Sequence, residues 1–187
     1  MFVYHMCSDD IRGTTLYPLK ALATRFPDVY ARERPKYAGR EEVLDFRVPH
    51  LDVAWGDTVN LAAIDPRRLV AARRRLGVAF SKLLQRRVVR IPVDRIAGSA
   101  AAVYDSRTHW INSAPGDATV ASEPPAEEFS PFDATTYQEL TEVPRRHLDY
   151  LAGQLARGRP ALGFVFIRHV LVAGSVDIAG LELAALG

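Results

Sequence analysis

Residues 36–66 have the sequence KYAGREEVLDFRVPHLDVAWGDTVNLAAIDP, which contains two strand-like segments, 43–48 and 57–62. Polar and aromatic residues are scattered in this stretch among Val, Leu and Ala, a mixture typical of a wall that contacts a ligand. The densest group comprises Asp52, Trp55, Asp57 and Asn60. A structural explanation is equally good, since most tryptophans are largely buried and an aspartate often stabilises a turn. The stretch therefore predicts strands that carry either a ligand site or part of the core.

The segments on either side of this stretch alternate irregularly between strands and helices. Hydrophobic patterns predict further strands at 2–6, 88–93, 100–104, 162–167 and 170–172. They predict helices at 19–26, 28–37, 66–76 and 132–156. This order lacks regular β-α-β alternation, and the chain contains neither GxGxxG nor GxxxxGK[ST], so the common nucleotide-binding folds lose support. We expect an α+β fold in which helices flank a mixed or antiparallel split sheet.

The composition is that of an ordinary globular protein. The chain has 187 residues, 48% hydrophobic and 25% charged, which is enough for one sizeable core and short for two domains. We therefore expect residues 1–187 to form a single domain. The net charge of +2 argues against nucleic acid as a partner, and the single cysteine, Cys7, excludes an internal disulfide. No apolar run is long enough to span a membrane, so we expect a cytoplasmic protein.

Residues 105–131 differ in composition from the rest of the chain. Ser, Thr, Pro, Gly and acidic residues dominate, with few large apolar side chains such as Trp110 and Phe129. Long loops in compact domains are usually functional lids or spacers. We expect this segment to be a long loop or lid that covers a ligand or recognises an acceptor.

Two histidines are the first candidates for chemistry. His5 lies near the end of the first predicted strand, and His169 lies in the apolar segment GFVFIRHVLVAG. A neutral imidazole can donate or accept a hydrogen bond and can transfer a proton near neutral pH. Each histidine is equally well explained as a structural hydrogen-bonding group. Tyr37 and Arg40 surround a turn at Gly39, and together they offer an aromatic face and a guanidinium for phosphate.

Short motifs that predict a metal site or a catalytic nucleophile are absent. The sequence contains no HxxxH, CxxC or GxSxG, so we expect neither a metal site nor a serine hydrolase. Cys7 shares a strand face with His5, but no neighbour in the sequence would activate its thiolate.

The two ends of the chain resemble ADP-ribosyltransferase-type domains. Tyr4 and His5 are followed about ten residues later by GTTLYPL, and the chain closes with FIRHVLVAGSVDIAGLEL. Small bacterial proteins with an N-terminal Tyr-His, a W-x-D segment and a C-terminal HVLV are also similar. The resemblance implies an α+β domain that binds NAD between split sheets and transfers ADP-ribose or hydrolyses NAD.

The resemblance also implies roles for particular residues. His5 and Thr14 would orient a ribose, Tyr17 or Tyr37 would stack on the nicotinamide ring, and Arg40 would meet phosphate. Trp55 would contribute to the same cofactor wall, and Asp57 or His169 would act on the acceptor or the leaving group.

One position departs from the family pattern. His169 stands where the family has a catalytic glutamate, and a neutral imidazole stabilises positive charge less well than a carboxylate. Either Glu182 or Asp177 supplies that carboxylate, or the fold has been kept while the reaction changed.

Two other functions remain open from the sequence. The same scaffold would support altered small-molecule chemistry, with His5, Asp57 and His169 as an acid/base set or as distant metal ligands. Alternatively, the chain is a non-catalytic interaction domain in which Trp55 and Trp110 anchor a protein partner.

Overall fold

The computed structural model describes residues 1–8, 11–78, 86–107 and 123–186. Its strands are β1 (Phe2–Ser8), β2 (Thr15–Leu16), β3 (Arg47–Val48), β4 (Val53–Ala54), β5 (Thr58–Ala62), β6 (Arg86–Pro92), β7 (Ala101–Tyr104), β8 (Phe129–Pro131), β9 (His169–Ala173), β10 (Val176–Asp177) and β11 (Leu183–Ala185). Its α-helices are α1 (Leu19–Arg25), α2 (Pro27–Glu33), α3 (Pro66–Arg75) and α4 (Arg145–Ala156).

The main sheet joins seven strands in the order β11-β6-β1-β5-β9-β7-β8. Every neighbouring pair in it is antiparallel. The helices lie outside this sheet in a single domain, so the predicted α+β class and the largely antiparallel sheet are confirmed.

The sheet opens between β1 and β5. On one side, β1 pairs with β6 along its whole length, from Phe2 opposite Pro92 to Ser8 opposite Arg86. On the other side, β1 pairs with β5 at a single position, where Tyr4 lies opposite Ala62. The two strands therefore separate beyond this pair, and the space between them is available for other groups.

Strand alternation places the apolar side chains on both faces of the sheet. Side chains at alternate positions point to opposite faces, whereas directly opposite residues on neighbouring strands share a face. Ala62, His169 and Tyr104 are opposite one another across β5, β9 and β7, so these three share a face. Val3 and Leu61 belong to the core cluster of the other face.

The helix α3 forms where its sequence signals place it. The Asp65 side chain accepts a hydrogen bond of 2.9 Å from the Arg67 N–H, and Pro66 occupies the first turn. Leu69 and Val70 are buried, and Gly77 ends the helix with a φ of +70°. The predicted helix 66–76 is thus confirmed.

The predicted helix 132–156 is wrong in its first half, because only α4 is helical. The N–H of Leu140 donates to the carbonyl of Ala63 at 2.7 Å, and Leu140 forms a parallel bridge with Ile64. The backbone before Pro144 is therefore engaged with the sheet, and a residue that precedes proline is biased away from helix.

Other local predictions are wrong for similar reasons. The predicted helix 28–37 ends at Glu33 and continues as a 3-10 turn over Arg34–Tyr37, because Pro35 interrupts it. In the predicted strand 43–48 only β3 is extended, after a 3-10 turn at Glu41–Asp45.

Part of the predicted lid is regular structure. Residues 126–131 of the segment 105–131 form a 3-10 turn followed by β8, and residues 108–122 lie outside the described residues. None of the helices within the described ranges has the length and apolarity needed to cross a bilayer.

Candidate functional site

A cavity of about 480 Å³ lies where β1 and β5 separate. Both strands contribute to its walls, from Tyr4 to Ser8 on β1 and from Thr58 to Ala62 on β5. The helix α2 and the following 3-10 turn Arg34–Tyr37 form a further wall. This volume is within the range of small-molecule sites in proteins.

His5 is held at the opening of the sheet with a defined tautomer. Its Nδ1 lies 2.9 Å from the backbone carbonyl of Asn60, a group that can only accept a hydrogen bond. Nδ1 must therefore carry the proton, which leaves a lone pair on Nε2 in the neutral ring. Burial lowers the pKa of His5 to about 4, and the Asn60 carbonyl offsets only part of that effect. His5 is thus a neutral hydrogen-bond acceptor at physiological pH.

His169 also lines the cavity. Its ring lies 6.5 Å from the Tyr104 ring, nearly parallel to it, and 5.8 Å from the Phe164 ring. His5 and His169 are only half-buried, because both border the cavity. The protein packed around each ring nevertheless disfavours the charged imidazolium. Burial lowers the pKa of His169 to about 4. The cavity therefore contains two neutral imidazoles.

Several ring-bearing side chains line the cavity, and we call five of them the aromatic wall: Tyr37, Trp55, Tyr104, Phe164 and His169. The Trp55 ring meets the Tyr104 ring edge-on, with centroids 5.4 Å apart. Trp55 is buried, so it is not an exposed anchor for a protein partner, and Trp110 lies outside the described residues. The flat apolar faces of this wall suit a planar ring.

A group of charged side chains also lines the cavity. Glu33 is buried there, and the cationic side chains of Arg32, Lys36 and Arg86 surround it. We call these four residues the Glu33 cluster. Among the described residues that line the cavity, Glu33 is the sole carboxylate.

The cavity brings together most of the residues that the sequence singled out. His5, Tyr17, Tyr37, Arg40, Trp55 and His169 line it, and Asn60 does as well. Arg40 stacks over Tyr37, with its guanidinium carbon 5.5 Å from the ring centre, and it donates to the carbonyl of Lys36 at 2.9 Å. The guanidinium carbon of Arg25 lies 4.7 Å from the centre of the Tyr17 ring, and Arg25 itself does not line the cavity.

Thr14 and Asp57 do not line the cavity. Thr14 is exposed and its neighbour Thr15 lines the cavity instead. Asp57 lies 3.9 Å from the ammonium of Lys20 and is half exposed. His5, Asp57 and His169 are therefore not assembled as an acid/base set around this cavity.

The carboxylates considered as substitutes for the family glutamate also lie elsewhere. Asp177 pairs with Arg95 at 3.5 Å, and both Asp177 and Glu182 are exposed and outside the cavity lining. Asp52 pairs with Arg47 at the surface. Burial raises the pKa of the Cys7 thiol to about 11, so Cys7 is a protonated thiol rather than a nucleophile.

Residues 161–165, which we call the strap, provide the remaining wall through Leu162, Gly163 and Phe164. The predicted strand over 162–167 is wrong here, because side chains rather than a strand partner hold the strap. The buried guanidinium of Arg73 donates to the carbonyls of Ala161 and Leu162 at 3.1 and 3.2 Å.

Two side chains of α4 hold the strap as well. The hydroxyl of Tyr150 accepts from the Leu162 N–H at 3.0 Å, and Nδ1 of the fully buried His147 lies 2.7 Å from the Val165 carbonyl. α3 and α4 therefore fix the position of the strap beside His169.

Sequence patterns did not predict Glu33, Arg86 or the strap. Glu33 and Arg86 are 53 positions apart, and no local spacing relates them. Within the described ranges, no group of three or more His, Cys, Asp or Glu side chains is arranged to hold a metal ion. Comparison of the chain with protein-family models, curated proteins and solved structures finds no match.

Proposed function

We propose that this cavity binds NAD or a closely related nucleotide, and that the chain transfers ADP-ribose from NAD to an acceptor or to water. The observation that carries the proposal is the fixed tautomer of His5 at the point where the sheet opens. An acceptor nitrogen that shares a cavity with an aromatic wall and a cationic cluster matches a ligand that combines a hydroxylated sugar, a planar ring and an anionic group.

Three groups of cavity residues contact three parts of the ligand. Nε2 of His5 accepts a hydrogen bond from a ribose hydroxyl. The hydrogen bond to Asn60 places the ring proton on Nδ1, and burial keeps the ring neutral. The nicotinamide ring lies against the aromatic wall, which excludes water from one side of the ribose. The cationic side chains around Glu33 face the phosphates.

The reaction exchanges one bond at the ribose. The bond from C1′ to the nicotinamide nitrogen breaks, and its electron pair stays on nicotinamide, which leaves as the neutral amide. A nucleophilic oxygen or nitrogen of the acceptor, or of water, forms the new bond to C1′ and releases a proton.

Calorimetric titration with NAD tests the binding step. The variant His5→Asn keeps a donor to the Asn60 carbonyl but removes the acceptor at the Nε2 position. We expect the wild type to bind NAD in the micromolar range and His5→Asn to bind it at least about tenfold more weakly. The matched control is His50→Asn, because His50 is exposed outside the cavity and has a φ of +70°, which asparagine tolerates.

Two results would contradict the proposal. Absence of binding heat and of a thermal shift at millimolar NAD excludes NAD as the ligand. Equal binding by His5→Asn and the wild type shows that His5 does not hold the ribose. Release of nicotinamide from NAD by the wild type, measured by chromatography, then separates hydrolysis from binding alone.

A further inference from the structure

The Glu33 cluster contains more positive than negative charge. Both terminal nitrogens of Arg86 lie 3.4 Å from Oε2 of Glu33, and Nζ of Lys36 lies 3.6 Å from the same oxygen. Nε of Arg32 lies 4.0 Å from the other oxygen. Within the cluster, three cationic side chains thus surround one carboxylate.

The distances within the cluster are long for charged pairs. Hydrogen bonds between a guanidinium or ammonium and a carboxylate are usually about 2.7–2.9 Å long. Arg86 directs both terminal nitrogens at one oxygen from 3.4 Å, and Lys36 is farther still. Glu33 therefore holds Arg86 and Lys36 near each other without occupying all their hydrogen-bond donors. These donors remain able to approach a second anion.

The cluster lies close to His5 in the fold. Ser8 lies at the end of β1, three residues after His5, and it lines the cavity. Arg86 is paired opposite Ser8. Lys36, Glu33 and Arg86 each act electrostatically on the His5 ring. An anionic group in the cluster would therefore adjoin a sugar held by His5.

We propose that the Glu33 cluster binds a diphosphate group through Arg86 and Lys36, so that the cavity is specific for diphosphate esters. The inference rests on the proposed function, because it assigns the diphosphate of the nucleotide to a particular place. The cluster contains more cationic than anionic side chains, and a concave cationic site concentrates the attraction for an anion such as a diphosphate. Glu33 in this arrangement is a positioning residue for the two cations.

Among the described cavity-lining residues outside the cluster, the cationic ones are Arg12 and Arg40, and each already donates hydrogen bonds to other groups. Both terminal nitrogens of Arg12 bond to the carboxylate of Asp28, which does not line the cavity. Arg40 lies over the Tyr37 ring and donates to the Lys36 carbonyl. We therefore expect Arg40 to contribute less to anion binding than Arg86. This differs from the sequence analysis, in which Arg40 was the residue expected to meet phosphate.

Titration with inorganic pyrophosphate tests the cluster without depending on NAD. The test variants are Arg86→Gln and Lys36→Gln. Their matched controls are Arg87→Gln and Arg34→Gln, which remove the same charge from exposed residues of the same strand and the same 3-10 turn, outside the cavity lining. We expect each test variant to bind pyrophosphate at least about tenfold more weakly than the wild type. We expect each control to bind within about twofold of it.

The salt dependence provides a second measurement. Screening weakens attraction between charged groups, so pyrophosphate binding to the wild type should weaken as sodium chloride is raised. Circular dichroism and thermal melting of each variant establish that it is folded. Lys36 is exposed, so Lys36→Gln tests the site even if Arg86→Gln proves unstable.

Each outcome decides between the two proposals. If the wild type does not bind pyrophosphate, or if the test variants bind it as well as their controls, the inference is overturned. Loss of pyrophosphate binding in Arg40→Gln alone would also overturn it. If NAD binds and depends on His5 but not on Arg86 or Lys36, the proposed function stands and the inference fails. If pyrophosphate binds at the cluster but NAD does not, the inference stands and the proposed function fails.

Discussion

Acidification should destabilise this protein through its two cavity histidines. His5 and His169 have pKa values of about 4 in the folded state, against about 6.5 in an unfolded chain. Between these two values the unfolded chain binds more protons than the folded one, so the free energy of unfolding falls as the pH decreases. The stability is fully present above pH 6.5, it is lost as the pH falls towards about 4, and below that it is lost no further through these groups.

The size of the effect follows from the two pKa values. One imidazole with these values contributes about 2 to 3 kcal/mol of stability at pH 7 that is absent near pH 4.5. Carboxylates titrate in the same interval, so the wild-type curve alone does not isolate the histidines. His5→Asn removes one titrating group and keeps a donor to the Asn60 carbonyl. The loss of stability on acidification should therefore be smaller in His5→Asn by about 2 to 3 kcal/mol.

Urea unfolding at a series of pH values between about 7.5 and 4.5, followed by tryptophan fluorescence, measures this difference. Trp55 is buried and makes the signal sensitive to unfolding. His50→Asn serves as the control, because His50 is exposed in a turn, and its curve should parallel the wild type. If the curve of His5→Asn also parallels the wild type, folding does not lower the pKa of His5 and the reasoning is refuted.

Two further predictions concern the scaffold around the cavity. Gly56→Ala should lower the free energy of unfolding by about 1–3 kcal/mol, because the added Cβ would lie 2.9 Å from the Leu44 carbonyl oxygen. Gly98→Ala meets no atom within 4 Å, so a similar loss in a thermal melt of that variant would contradict this reasoning. Arg73→Met should cost about 2–4 kcal/mol and expose the strap to proteolysis, because two strap carbonyls lose their donor. Arg74→Met removes an exposed arginine from the same helix, and equal melting of the two variants would show that the strap does not depend on Arg73.

The class of the fold follows from patterns that are local in the sequence. Short apolar, strand-prone segments predicted β1, β5, β6 and β7, because such segments are recognisable from neighbouring residues along the chain. Helix α3 was equally accessible, since Asp65, Pro66 and Gly77 mark its ends directly. The non-helical structure of segment 132–144 could not be predicted in this way. The N–H of Leu140 bonds to the carbonyl of Ala63 across the fold, and such a contact overrides local helix preference.

The residues of the site divide in the same way. The sequence alone identified the residue types that suit ligand chemistry, since His5, Tyr37, Arg40, Trp55 and His169 differ visibly from their apolar surroundings. Their assembly around one cavity depends on strand pairing and on the single paired position between β1 and β5, which no local pattern specifies.

Only the tertiary structure decided which charged groups share the cavity. Glu33 and Arg86 are far apart in the chain, as are His5 and Asn60 at a separation of 55 residues, and each pair is joined by packing around the opened sheet. Asp57 had the right chemistry but faces Lys20 outside the cavity. The physical reason is that side-chain chemistry is fixed by each residue, whereas burial, charge environment and tautomer are fixed by neighbours brought from distant parts of the chain.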